Sequence, residues 1–127
     1  MLAHAPEEVA RLWAESLTAG DLEALVELYE ADATLVPQPG EVVTGIEAIR
    51  EALSALLATE PTFYLKVRKI LHTGDIALSF ADWTLSGTGP EGEAIEMAAQ
   101  TSDVLRRQGD GTWRFVIDNP FGSAHGF

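Results

Sequence analysis

Three aspartates stand inside apolar, strand-like stretches of this chain: Asp82 in Phe80-Ala-Asp-Trp-Thr-Leu85, Asp103 in Thr101-Ser-Asp-Val-Leu105 and Asp118 in Phe115-Val-Ile-Asp118. Carboxyls gathered on an apolar wall cannot all ionise cheaply, because desolvation and mutual repulsion raise at least one pKa. That is how a general acid or base is poised near neutrality. The histidines offer less. His4 and His125 lie near the termini and His72 at a strand end, none spaced with a second ligand as zinc requires, so no metal is expected. The glycine-rich run Gly87 to Gly92 lacks the lysine and following helix of a phosphate loop. No Ser-His-Asp arrangement is suggested, and no cofactor is expected.

The elements that must position these acids are bounded by composition. A chain of 127 residues, 46% of them hydrophobic, suits one domain with one core spanning residues 1–127. It has no cysteine, which fits a reducing cytoplasm and excludes disulfides and thiolate metal sites. The start Met1-Leu-Ala-His-Ala-Pro6 is not that of a secretory signal, and no apolar run is long enough to span a membrane. The net charge of −12 is uneven: residues 1–60 carry twelve acids and two bases, residues 61–127 eight acids and six bases. So acidic a chain repels phosphate backbones, and neither nucleic acid nor membrane is an expected partner. Its acidic helix faces serve solubility.

Periodicity predicts three helices and then a run of strands. Pro6 to Ala19 carries apolar residues at helical spacing, with Pro6 suited to the first turn and Gly20 to the stop. Asp21 can cap a second helix running to about Glu30. Ala33 to Val36 and Glu41 to Val43 read as short strands about the Pro37-Gln-Pro-Gly40 turn. Thr44 and Glu47 fit a capping box for a third helix ending near Thr59. Four long strands follow: Phe63 to His72, Ile76 to Ser86, Ala94 to Arg107 and Thr112 to Asn119. The order α-α-β-β-α-β-β-β-β argues an α+β fold. Strands longer than the usual 5–6 residues must twist and coil. A coiled sheet has a concave side that helices cover only in part, so a cone-shaped antiparallel sheet wrapped around three helices, with an interior pocket, is expected.

Several segments carry a resemblance. Trp13-Ala-Glu-Ser-Leu-Thr-Ala-Gly-Asp-Leu22, Leu28-Tyr-Glu-Ala-Asp-Ala-Thr-Leu-Val36 and Gly45-Ile-Glu-Ala-Ile-Arg50 resemble the SnoaL-like and ketosteroid-isomerase-like families of the nuclear transport factor 2 superfamily. Gly111-Thr-Trp-Arg-Phe-Val-Ile-Asp-Asn-Pro-Phe-Gly122 resembles a largely uncharacterised bacterial subfamily among them. The resemblance implies the cone fold and a homodimer through the outer sheet face. It does not imply one activity, since the superfamily holds isomerases, cyclases, dehydratases, hydrolases and plain binding modules. Ketosteroid isomerase, a well-described case, uses a carboxylate base with a tyrosine and a protonated aspartic acid as oxyanion hole. In this chain the tyrosine position falls at Trp13, which is no phenol, and the base position at Pro37, which is no base. The aspartic acid position falls at Asp103, which matches.

Taking Asp103 as inward, strand alternation puts Met97, Ala99, Thr101 and Leu105 on its face. The isomerase-like pattern then implies Phe80, Asp82 and Thr84 inward, with Ser79, Ala81, Trp83 and Leu85 outward and Trp83 at the dimer interface. On the last strand Arg114, Val116 and Asp118 are expected inward, with Arg114 able to neutralise a carboxylate. Trp13 and Tyr29 would close the helix side, Gln38 would sit at the mouth, and Trp113 would pack beside the final hairpin. The expected site is thus Asp103 as acid–base group, with Trp13, Tyr29, Gln38, Phe80, Asp82, Met97, Thr101, Val116 and Asp118 around a small, mostly apolar organic ligand. Acid–base chemistry of isomerase, cyclase or lyase type is the catalytic reading. A non-catalytic dimerisation or ligand-sensing module is the alternative, motivated by Trp13 and Pro37.

Overall fold

A computed structural model describes residues 2–123, so His125 lies outside the described residues. Helix α1 (Pro6–Ala19) opens with Pro6 in its first turn and ends on Gly20 at φ +70°, a conformation that glycine adopts without strain. It buries Val9, Leu12 and Leu17. The Asp21 side chain accepts from the Ala24 N–H at 3.1 Å and caps α2 (Leu22–Val26). Helix α3 (Ile46–Leu57) buries Ile49 and Leu53.

Two expectations about the helices are corrected. The second helix stops at Val26 instead of running to Glu30. Tyr29 begins strand β1 (Tyr29–Gln38), because Leu28 accepts from the Phe115 N–H at 2.7 Å and Tyr29 pairs with Phe115. Tertiary pairing overrides the local helical period. The capping box does not form either: Gly45 caps α3, and the Thr44 hydroxyl bonds Thr34 across the sheet at 3.1 Å.

Strand β2 (Glu41–Thr44) returns along β1. After α3 come β3 (Thr62–Thr73), β4 (Ile76–Thr88), β5 (Ala94–Gln100), β6 (Asp103–Arg107) and β7 (Trp113–Asp118). The sheet order is β2-β1-β7-β6-β4-β3, with β5 on β4. All pairs are antiparallel except β1 with β7, which is parallel, so the sheet is mixed and not wholly antiparallel. The expected single strand from Ala94 to Arg107 is interrupted at Thr101-Ser102, where the Thr101 hydroxyl accepts from the Ala81 N–H at 3.0 Å. The core lies between the helices and the concave face, with Leu25, Leu28, Tyr29, Ile49 and Leu105 fully buried. No helix of the described residues is long and apolar enough to cross a membrane.

Register decides which side chains look inward. Cross-strand partners share a face. Thr88 pairs with Ala94 and Ser79 with Asp103, so odd residues of β4 face the same way as odd residues of β5 and β6. Ser79, Ala81, Trp83 and Leu85 are therefore inward and buried. Phe80, Asp82 and Thr84 are outward, the reverse of the expectation. The inversion follows from the hairpin, whose closing pair encloses an odd number of residues. Asp82 forms a surface ion pair with Arg68 at 2.5 Å and accepts from Gln100 at 3.0 Å.

Strand β7 carries a second surprise. Val104 pairs with Ile117 but Leu105 with Phe115, leaving Val116 as an extra residue. The bulge flips the alternation. Trp113 and Phe115 are buried before it, and Asp118 after it. Arg114 and Val116 do not face the interior, so Arg114 does not neutralise a pocket carboxylate.

Candidate functional site

The concave face and the helices enclose a cavity of about 110 Å³. Helix α1 contributes Ala10 and Trp13, and α3 contributes Ala52, Leu53 and Leu56. The sheet contributes Leu35, Pro37, Phe63, Leu65, Trp83, Leu85, Met97 and Phe115, and the last turn Pro120 and Phe121. Rings meet along this wall: Trp13 lies edge-on to Phe63 with centroids 5.1 Å apart, and Trp83 edge-on to Phe121 at 5.6 Å. The Trp83 indole N–H donates to the Pro120 carbonyl at 2.6 Å, pinning the last turn over the cavity. That turn needs Gly122: its φ is +56°, and a Cβ there would stand 2.5 Å from the Gln100 carbonyl oxygen.

The polar groups of the lining, apart from the indoles, are Thr101, Asp103 and Asp118. The two carboxyls are buried, each 5% exposed. Asp103 accepts from the Asn119 backbone N–H at 2.9 Å, and the Thr101 hydroxyl also bonds it. Asp118 accepts from the Tyr29 hydroxyl at 2.5 Å. The Trp13 indole N–H donates to the same Tyr29 oxygen at 2.9 Å. Asp103 and Asp118 lie beside one another, close enough for each to shift the other's titration.

Donor and acceptor chemistry fixes the sense of this chain. An indole N–H can only donate, so the Tyr29 oxygen accepts from Trp13 and gives its own proton to Asp118. Asp118 thus accepts on one carboxyl oxygen, an arrangement that favours its ionised form and leaves the proton between the carboxyls to Asp103. Electrostatics agree. Burial, followed by the charge on Asp118, pushes the Asp103 carboxyl well above the usual carboxylate range, although the Asn119 N–H and Thr101 pull it partly back. Burial lifts Asp118 to about 6, and the bonds from Tyr29 and Asp103 limit that rise. Tyr29 is pushed well above an ordinary phenol by burial and then by the Asp118 charge, so it stays a donor. Asp103 is raised the further of the two, which makes it the acid and Asp118 the base of the pair in an apolar wall.

Of the residues singled out in sequence, the cavity brings together Trp13, Met97, Thr101, Asp103 and Asp118. Tyr29 stands behind the wall and reaches the site only through its hydroxyl. Gln38 is exposed at the end of β1 and does not line the cavity, nor do Phe80, Asp82 and Val116. Trp83, placed outward in sequence, is a wall residue. Phe63, Phe115 and Phe121 were not singled out at all. Counting hairpin loop parity would have found Trp83, whereas the β7 bulge that turns Phe115 inward has no signal in the strand itself. Trp113 packs edge-on to His72 at 5.0 Å.

A SnoaL-like domain model matches residues 9–118. The chain belongs to the SnoaL-like domain family. Solved structures of the same fold include a ketosteroid isomerase-like protein from Erwinia carotovora atroseptica, 18% identical, covering 88% of each chain with a TM-score of 0.77. A protein provisionally assigned as a dehydratase of the NTF2-like family, from Streptomyces avermitilis, is 22% identical over 89% of this chain and 90% of its own, TM-score 0.75. A third, provisionally assigned as a calcium/calmodulin-dependent protein kinase II association domain, comes from Xanthomonas campestris; it is 24% identical over 89% of this chain and 81% of its own, TM-score 0.73. At these identities the likeness carries the fold alone. No curated protein matches the chain.

Proposed function

We propose that this SnoaL-like domain binds a small, mostly apolar organic molecule in its cavity and that Asp103 and Asp118 exchange a proton with it. The observation that carries this reading is the buried pair of Asp103 and Asp118 on the wall of an otherwise apolar cavity. Two carboxyls that share a proton can deliver it to one atom of a ligand and recover it from another. Isomerase, cyclase and lyase reactions, dehydration among them, need that exchange. The names of the Streptomyces and Erwinia relatives are in keeping with it. Pro37 and Trp13 stand where ketosteroid isomerase has its base and phenol, so the pair would have to serve both roles. A cytoplasmic location goes with this reading, supported by the lack of cysteine.

The test begins with a high-resolution crystal structure of the protein as purified, in which electron density in the cavity identifies a co-purifying molecule. With that molecule or its turnover product in hand, Asp103→Asn is expected to lower turnover by about 100-fold or more while leaving binding within a few-fold. Equal turnover in Asp103→Asn would refute the catalytic half. Binding without any turnover in either protein would favour the ligand-sensing module.

A homodimer through the outer sheet face belongs to the same proposal. Leu71 pairs with Leu78, Leu78 with Val104 and Val104 with Ile117, forming an apolar stripe across four strands. Leu71, Leu78 and Ile117 are 49%, 37% and 39% exposed. A stripe of this kind is suited to a second copy of itself. Sedimentation equilibrium at micromolar concentration should give a dimer, and the double substitution Leu71→Lys/Leu78→Lys a folded monomer. A wild-type monomer would count against this interface.

A further inference from the structure

The cavity has a charge that its own walls do not balance. No lysine, arginine or histidine is among its described lining residues. The arginines in described ion pairs are engaged elsewhere: Arg11 with Glu15, Arg50 with Glu23, Arg68 with Asp82, Arg106 with Glu30 and Arg107 with Asp75. A buried carboxylate without a counter-charge is costly, and protein interiors usually pair it with a cation.

Hydrogen-bond capacity points the same way. The Trp13 indole proton and the Tyr29 hydroxyl proton are both directed at protein acceptors, and the only described donors beside Asp103, the Asn119 N–H and the Thr101 hydroxyl, are directed at its own carboxyl. What the pair offers the cavity is therefore lone pairs on carboxyl oxygens. A ligand that complements it brings donors. The remaining wall is apolar and includes the rings of Trp13, Phe63, Trp83, Phe115 and Phe121, and ring faces attract a cation by their quadrupole. The net charge of −12 would raise the local concentration of cations around the protein. At about 110 Å³, below the roughly 150 Å³ of an apolar cavity that takes up benzene, the volume limits the ligand to one small ring at most.

We propose that the ligand is a small organic ammonium with an apolar body, its cationic nitrogen against Asp103 and Asp118 and its body among the rings of Trp13, Phe63, Trp83 and Phe121. This rests on the reading of the cavity as a ligand pocket and adds the sign of the ligand's charge. Such a cation binds best to the ionised pair. The groups facing that pair are Tyr29 from β1, Thr101 before β6 and the Asn119 backbone after β7, while α1 and α3 present only Ala10, Trp13, Ala52, Leu53 and Leu56. None of the others titrates between pH 5 and 7, so any pH dependence of affinity in that window reports on the carboxyls.

Three probes of one shape, benzylammonium, benzyl alcohol and benzoate, separate the possibilities by NMR titration of the intact protein. At pH 7 benzylammonium is expected to bind about tenfold or more tightly than benzyl alcohol. Benzoate should not bind. Benzylammonium affinity should fall several-fold from pH 7 to pH 5, where the probe itself stays cationic, and benzyl alcohol affinity should not. In Asp118→Asn the ammonium preference should disappear while benzyl alcohol still binds; the pH series on the wild type carries the test if that variant fails to fold. Binding of benzyl alcohol or benzoate at least as tight as that of benzylammonium would overturn the ligand class and leave the pocket reading standing. Failure of all three probes would overturn both.

Discussion

Raising the pH from 4 to 7 is expected to destabilise this protein by about 3 kcal/mol through Asp118 alone. The carboxyl titrates near its ordinary value of about 4 in the unfolded chain and at about 6 in the folded one. Between those values the native state holds a proton that the unfolded state has lost. Stability from this group is therefore fully present below about pH 4 and disappears as the pH rises through 6. Asp103, raised further by burial and by Asp118, acts in the same direction and extends the loss to higher pH. The carboxyls of Glu30, Asp82 and Asp110 are lowered and contribute in the opposite sense, but their stabilisation is lost only as the pH falls through and below the ordinary carboxylate range. Urea unfolding at half-unit pH steps measures the slope. The double variant Asp103→Asn/Asp118→Asn should abolish most of it, which separates the pair from the general relief of a net charge of −12. A wild-type stability that is flat or rising over this range would contradict the burial of a protonated pair.

Replacing Tyr29 by phenylalanine is expected to cost about 2–3 kcal/mol, although it leaves the ring and its packing on Phe115 in place. One hydroxyl serves two partners, the half-buried Trp13 from which it accepts and the buried Asp118 to which it donates. Its loss strands an indole N–H and a carboxylate together, and an unpaired buried polar group costs more than the net worth of the bond it made. The same change removes one of the two bonds that hold down the Asp118 pKa, so that carboxyl should titrate above 6. Chemical denaturation and a carboxyl-carbon NMR titration read the two effects separately. A loss below about 0.5 kcal/mol with an unmoved titration would mean that Tyr29 does not bond Asp118 in solution.

The fold was legible because its signals are local. Pro6 and Gly20 bracket α1, the capping carboxylate of Asp21 starts α2, and the Pro37-Gln-Pro-Gly40 segment turns the chain between the first two strands. The resemblance of the segments around Trp13, Tyr29 and Asp118 to SnoaL-like chains then orders these elements. Helix α2 ends before its helical period does because a distant strand competes for the same residues: Leu28 and Tyr29 continue the period, yet β7 captures them.

The site was legible in its residue types more than in its geometry. Asp103 and Asp118 attract notice in sequence because aspartates are rare company for Val, Leu, Ile and Phe. Asp82 attracts the same notice and lies on the opposite face, paired with Arg68. Within Phe80 to Leu85 the odd residues Ala81, Trp83 and Leu85 are all apolar and the even ones include Asp82 and Thr84, so alternation favours the buried odd face, against the inward Asp82 that the isomerase-like pattern implies. The pairing of Thr88 with Ala94 makes that choice, and the extra residue Val116 makes it again in β7. A strand has a side-chain period of two, so one residue of slip or bulge exchanges its faces. The sequence by itself thus determined the elements, their order and the acids available. The tertiary structure alone decided that Asp103 and Asp118 meet and that Tyr29, 89 residues away from Asp118, bonds that carboxyl. Those choices depend on register and on contacts between distant segments, which local periodicity does not encode.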